Sequence, residues 1–209
     1  MAFKAFRIKQ VDGAIEAGFE QLEINDLSAG EVVVRVQYSG INYKDALAAT
    51  GKGRITRVPA VNGGVDLVGV VDSSTDERFH GGDAVLVCGA GLSETLDGGY
   101  SEFARVPGDA VVPLPSGLTA WEAGALGTAG FTAALAMMRM EDNHQDPALG
   151  PIVVTGATGG VGSFAIDMLA AKGFEVLAFT GKPEQHDYLR TLGASDFIDR
   201  HVIEMGTRP

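Results

Sequence analysis

The 209-residue sequence predicts an α/β protein, with a β-rich first half followed by the opening of a doubly wound parallel sheet. Two observations carry this expectation. Ile152–Val153–Val154–Thr155 is an apolar run that reads as a buried parallel strand, and the glycine-dense turn Gly156–Ala157–Thr158–Gly159–Gly160–Val161–Gly162–Ser163 follows it. A helix opens at about Val161, keeps an apolar stripe of Phe164, Ala165, Met168 and Leu169, and ends at Gly173; Glu175 to Thr180 then reads as the next strand. Upstream, Val32, Val34, Val36 and Tyr38 alternate with outward positions in a strand at about 31–38.

The remaining elements follow from local pattern. Strands are expected at Val65–Val71, at Ala84–Cys88 after the Gly81–Gly82–Asp83 turn, and at Tyr100–Val106 after Gly98–Gly99. Asn42 to Ala49 is a short helical pattern. Thr119 and Glu122 have the spacing of a capping box, Phe131–Met140 is a strongly apolar helix candidate, and Glu141–Gly150 is a polar connector carrying Pro147. Phe197–Ile198–Asp199 reads as a third strand of the second half, and the alternation stops there. A complete doubly wound dinucleotide fold pairs two halves across about six strands. Only the first half is legible, so the chain reads as a fragment of a longer protein. The change of character places one domain at 1–120 and a second at 121–209.

The strand–turn–helix context is what a dinucleotide fingerprint requires. Glycines permit the tight turn and let backbone N–H groups approach a pyrophosphate at the positive end of the helix. A structural glycine turn is the plainer alternative, since 29 glycines match many templates. An NAD-binding unit places Asp or Glu about 20 residues beyond the turn to hold the ribose 2′-hydroxyl. Here Thr180–Gly181–Lys182 stands in that place, with no acid before Glu184. A hydroxyl, an open backbone and an ammonium suit a 2′-phosphate, so NADP(H) is expected over NAD(H). Lys182 could equally be a solvated turn lysine ahead of Pro183.

Composition narrows the classes. A formal charge of −11 argues against nucleic-acid binding. No apolar run reaches the roughly 18 residues of a membrane span, and Met1–Ala2–Phe3–Lys4 lacks a signal-peptide pattern. The single cysteine, Cys88, excludes an intramolecular disulfide framework and fits a cytoplasmic location; its apolar surroundings suit a structural thiol.

Ser39–Gly40–Ile41–Asn42–Tyr43–Lys44–Asp45, Thr50–Gly51–Lys52–Gly53, Asp76–Glu77–Arg78–Phe79–His80–Gly81–Gly82–Asp83, Gly127–Thr128–Ala129–Gly130–Phe131–Thr132–Ala133 and the turn at Gly156–Gly162 occur in one order. Together they resemble the acrylyl-CoA reductase (YhdH/AcuI-type) quinone oxidoreductase family, in the zinc-independent branch of the medium-chain dehydrogenase/reductase superfamily. The resemblance covers essentially the whole chain. It implies an N-terminal GroES-like β domain and an incomplete Rossmann domain whose last strands, with a C-terminal return segment, lie beyond this sequence.

The resemblance also implies an activity: NADPH-dependent reduction of a short 2-enoyl-CoA by hydride transfer, or, alternatively, NADPH:quinone oxidoreduction. A non-catalytic NADPH-binding protein or an inactive fragment is the third reading, and a homodimer of the full-length protein is left open. In the zinc enzymes of the superfamily a cysteine stands where this chain has Asn42, and a His–Glu pair where it has Val65–Asp66. Neither Asn42 nor Val65 suits zinc, one cysteine cannot build a four-thiolate lobe, and no metal is expected. Carbonyl polarisation then falls to hydrogen-bond donors. Asn42, Tyr43 and Asp66 are the catalytic candidates. Each has a plainer alternative: a helix cap, a packing tyrosine, and a buried carboxylate satisfied by backbone donors. By the same resemblance Tyr43 also contacts the cofactor. Gly156, Thr158, Gly159, Gly160, Val161 and Gly162 surround the pyrophosphate, Thr180, Gly181 and Lys182 meet the 2′-phosphate, and Arg200 meets the nucleotide or is simply solvated. Thr128 either touches the nicotinamide side or starts a helix. Lys44, Lys52, Arg54 and Arg57, against the single acid Asp45, form a stretch that is either a positive rim for the phosphates of CoA or an ordinary solvated loop.

Overall fold

The computed structural model describes residues 2–202, which divide into two compact units between Thr128 and Ala129. The division falls inside a helix rather than at the 120/121 boundary expected from pattern.

The first unit opens on a hairpin that pattern reading did not anticipate. β1 (Phe3–Val11) and β2 (Ala14–Leu22) pair antiparallel through a two-residue Asp12–Gly13 turn, with φ of 51° and 81°. Both positive φ values are those of a hairpin turn whose twist matches its strands. β4 (Ala60–Asn62) adds to the other edge of β1.

A second sheet has the order β7-β3-β5-β6-β8, formed by β3 (Val32–Tyr38), β5 (Asp66–Ser74), β6 (Ala84–Cys88), β7 (Phe103–Val106) and β8 (Val112–Pro113). Alternate residues of these strands point inward, so Val34, Leu67, Val71, Val85, Val87 and Val106 form one core. The register of β3 against β5 slips between Val36 and Tyr38. Such a bulge re-aims a strand end, and the Ser39–Asn42 loop leaves from it into α1 (Tyr43–Thr50).

α2 (Ala120–Asp142) is longer than its apolar stripe suggests, because two helices run together across a break at Gly127, with φ 45° and ψ −153°. The Thr119–Glu122 capping box is present, with Glu122 N–H donating to Thr119 Oγ1 at 3.2 Å and Thr119 N–H to Glu122 Oε2 at 2.8 Å. In the second unit, β9 (Ile152–Thr155), α3 (Gly160–Ala171), β10 (Val176–Thr180), α4 (His186–Thr191) and β11 (Asp196–Asp199) build a parallel sheet of order β11-β10-β9. Its core joins Val154, Ile166, Leu169, Val176 and Leu189. Val153 is exposed, so β9 is buried on one face only, contrary to the fully buried strand its apolar run suggests. Among the described residues no helix is long and apolar enough to cross a membrane.

One buried charge pair ties the first unit together. Asp97 accepts from Arg7 Nη1 at 2.7 Å, from Asn62 N–H at 2.8 Å, and from Ser28 N–H and Oγ at 2.7 and 2.9 Å. Asp97→Ala leaves the largely buried Arg7 guanidinium only its contact with Asn62 Oδ1 and strands two backbone donors, and we expect a loss of about 3–5 kcal/mol in urea unfolding. Lys9→Ala, which breaks the exposed pair with Glu20, should change the unfolding midpoint little beside it. Equal effects would show that the Arg7–Asp97 cluster is not a structural tie.

Candidate functional site

Asp66 is the first residue of β5 and is only 2% exposed. An ionised carboxylate in that position must be satisfied by protein donors. Asn42 Nδ2 donates to its Oδ2 at 2.8 Å, and Thr128 donates to its Oδ1 twice, through N–H at 3.0 Å and through its hydroxyl. The break in α2 makes the second pair of contacts available. Thr128 begins the second half of that helix, where N–H groups lack helical acceptors, and Asp66 takes the place of a cap. A side chain at Gly127 would meet Asp66 Oδ2 at 2.7 Å, so residue 127 needs glycine both for its positive φ and for space. Thr128 therefore has its helix-start role, and Asp66 is satisfied by one backbone and two side-chain donors.

Asn42 occupies the N-cap of α1, and its amide is held by Asp66. Its backbone is held separately: Asn42 N–H donates to Asp45 Oδ2 at 2.7 Å. Asp45 is buried, and it also accepts from Tyr100 Oη at 3.0 Å and Val65 N–H at 3.2 Å. Burial, and then the Asp45 carboxylate, push the Tyr100 phenol well above its ordinary range, so it stays a neutral donor. Tyr43 is 81% exposed and does not pack into the core of the described residues. Ile41 beside it is also exposed. A cleft of about 550 Å3 borders this loop, lined by Phe6, Phe19, Ile41, Ala46, Ala49 and Tyr100 among others.

Cys88 pairs with Asp66 across β5 and β6 and is partly buried. Burial, with a smaller contribution from Asp66, pushes its thiol up to about 12, so it is a thiol and not a nucleophile at neutral pH. The basic stretch is less free than its sequence implies. Glu94, from outside the stretch, lies 3.4 Å from Lys44 Nζ and 3.8 Å from Arg57 Nε, while Asp45 turns inward. Lys52 and Arg54 remain exposed, with no ion pair among the described residues. No three His, Cys, Asp or Glu side chains among those residues come together as a metal site would require.

In the second unit, Gly156 takes φ 60° and the turn leads into α3, whose N-cap Gly159 offers no side-chain cap. The first N–H groups of α3, from Gly160, Val161 and Gly162, therefore have no helical acceptor. A side chain at Gly162 would run into the backbone of Gly156 and Ala157, so the helix starts as close to the turn as backbone permits. Thr158 and Gly160 line a cleft of about 390 Å3 together with Ser163, Phe164, Asp167 and Tyr188. Ser163 and Tyr188 escape sequence reasoning because α4 brings Tyr188 to the turn only in the fold.

On the neighbouring strand, at the same carboxyl end of the sheet as the glycine turn, Thr180 is buried and its Oγ1 accepts Lys182 N–H at 3.1 Å. The parallel register Thr180↔Asp199 sets Gly181 beside Arg200, and Arg200 N–H continues the ladder to Thr180 O at 3.2 Å. A side chain at 181 would meet Arg200 Nε at 2.6 Å. The turn, the exposed helix N–H groups and the cationic end of β10 fit a dinucleotide bearing a 2′-phosphate.

Comparisons with known proteins agree with this arrangement. Residues 28–116 match the alcohol dehydrogenase GroES-like domain. The chain is 48% identical to acrylyl-CoA reductase AcuI of Ruegeria pomeroyi over 192 residues, covering 91% of this chain and 58% of that protein. It is similar to the yhdH oxidoreductase of Salmonella enterica in complex with NADP, with a TM-score of 0.91 and 47% identity over 95% of this chain and 61% of the other. Bacillus subtilis yhfP with NAD bound gives a TM-score of 0.94 and 44% identity over 100% of this chain and 64% of the other. The chain thus spans less than two thirds of the length of each. With its GroES-like domain in the first unit and its glycine turn on a parallel sheet, the chain is similar over nearly its whole length to the acrylyl-CoA reductase (YhdH/AcuI-type) quinone oxidoreductase family of the medium-chain dehydrogenase/reductase superfamily.

Proposed function

We propose that the protein reduces the carbon–carbon double bond of a short 2-enoyl-CoA, acrylyl-CoA first among them, with NADPH and without a metal ion. The observation that carries this reading is the clamp on Asn42. Its amide is fixed by Asp66 and its backbone by Asp45, so one polar side chain is held rigidly where the zinc enzymes of the superfamily carry a metal ligand. NADPH, when bound, would supply the hydride that the β-carbon of the thioester needs, and the proton that completes the reduction at the α-carbon would come from water. The work of this chain is orientation and charge stabilisation. Asn42 and the exposed phenol of Tyr43 are the donors available to a thioester carbonyl oxygen as negative charge develops there. Asp66 and Asp45 act through Asn42 and are positioning residues. Thr128 is engaged by Asp66, which assigns it to the same support.

In the other unit, Gly156, Thr158, Gly159, Gly160, Val161 and Gly162 offer the pyrophosphate backbone donors and no obstructing side chain. Gly181, Lys182 and Arg200 receive the 2′-phosphate. Thr180 supports them by fixing the Lys182 backbone. One solved relative holds NADP and another NAD, so the choice is argued from this chain's own Lys182 and Arg200 and from the lack of an acid between β10 and Glu184. Lys52 and Arg54 are the cations left to meet the phosphates of CoA.

A quinone acceptor is the second reading. The apolar cleft beside Ile41 favours it, since a flat apolar ring needs no phosphate contact.

Two measurements follow for the full-length protein. NADPH oxidation should be faster with acrylyl-CoA than with 1,4-benzoquinone at equal concentration, and prior treatment with EDTA should leave the rate unchanged. The reverse acceptor order selects the quinone reading, and a loss restored by zinc contradicts metal independence. NADPH should bind at least about tenfold tighter than NADH, a gap of about 1.4 kcal/mol. Lys182→Asp should shrink or invert that ratio in a fluorescence titration; an unchanged ratio removes Lys182 from the 2′-phosphate site.

A further inference from the structure

The cationic end of β10 holds one more group than Lys182 and Arg200. A side chain at Gly181 would collide with His201 Cε1 as well as with Arg200, so the imidazole and the guanidinium lie together over the bare α-carbon of Gly181. Asp199 fixes the imidazole in this pose. Its Oδ1 accepts His201 N–H at 2.9 Å and stands 2.9 Å from Nδ1. Cε1 joins the two ring nitrogens, so the imidazole edge beside the Asp199-bound Nδ1 is the one that lies over Gly181 next to Arg200.

The charged groups at this spot are Arg200, Asp199 and His201, and Lys182 is the next residue along the chain from Gly181. The backbone N–H of His201, with smaller contributions from its side chain and from Arg200, holds the Asp199 carboxyl below its usual range, so it is an anion near neutrality. While His201 is neutral, that anion cancels one of the two cations. A proton on His201 offsets Asp199 and restores the attraction of both. Histidine is the side chain that makes this change between pH 5 and 8.

We propose that His201, braced by Asp199 over Gly181, is a further specificity-determining contact for the 2′-phosphate, whose protonation strengthens selection of NADPH over NADH. This rests on the cofactor reading above. His201 was not among the residues singled out by sequence. No glycine pattern reaches it, and it arrives at Gly181 through the parallel pairing of β10 with β11.

The test is the ratio of NADH to NADPH dissociation constants, measured by nucleotide fluorescence at pH 6.0 and 8.5, for the full-length wild-type protein and for His201→Gln. The side chain is 62% exposed, so the substitution leaves the core of the unit intact. A phosphate monoester itself loses charge near pH 6, and the variant supplies that baseline. The wild-type ratio should exceed the variant's by about fivefold at pH 6.0, the scale of one added charge a few ångströms away in water, and by much less at pH 8.5. Equal ratios for the two proteins at both pH values, with NADPH still preferred, overturn the role of His201 alone. A wild-type protein that does not prefer NADPH at either pH overturns the cofactor reading and the proposal with it.

Discussion

A carboxylate that is almost wholly removed from water, Asp66, constrains everything around the candidate active site. Leaving such a group unpaired costs several kcal/mol, so the chain must bring donors to it. They come from the Asn42 amide and from the backbone and hydroxyl of Thr128. That demand explains a glycine with positive φ inside an otherwise continuous helix, because Gly127 both breaks α2 and clears space for Asp66. Gly40 is bound by the same demand, since a Cβ there would approach Asp66 Oδ2 at 3.0 Å. Strand, loop and helix break are thus fixed by one charge. The product of that arrangement is an Asn42 side chain with little freedom.

The second unit reaches its chemistry by a different route. Parallel pairing fixes which residues leave the sheet side by side. Because Thr180 stands opposite Asp199, the residues that follow them, Gly181 and Arg200, meet without any side chain seeking the other. The absence of a Cβ at Gly181 then lets basic side chains settle onto backbone. Backbone donors at the glycine turn and cations at the strand ends are separate features of one sheet. The first suits a pyrophosphate, and the second suits a 2′-phosphate.

Features set within a few residues were legible in the sequence, and features set across the fold were not. The strand–turn–helix at Ile152–Ala171, the Thr119–Glu122 box and the third strand at Asp196–Asp199 each follow from local spacing. The β1–β2 hairpin had a local signal, Asp12–Gly13 between strand-like segments, though the polar residues along both strands hide their alternation. The break at Gly127 had none, because its cause is a carboxylate 61 positions earlier in the sequence. Glu94 beside Lys44 and Arg57, and Asp97 beside Arg7, are also brought together from distant parts of the sequence. For the same reason the candidate catalytic residues could be named from sequence, whereas the groups that support them, Asp45 and Tyr100, emerged only from the fold.

We infer that Asp66 acts through Asn42. A double-mutant cycle on kcat/KM for acrylyl-CoA, using Asn42→Ala, Asp66→Asn and the pair in full-length protein of matched circular dichroism, tests it most directly. If the carboxylate works by holding the amide, the second substitution costs little once the first is made, and the cycle should show a coupling of about 0.5–3 kcal/mol. Additivity within about 0.5 kcal/mol would mean that the two residues act independently, and would contradict the role assigned to the buried carboxylate.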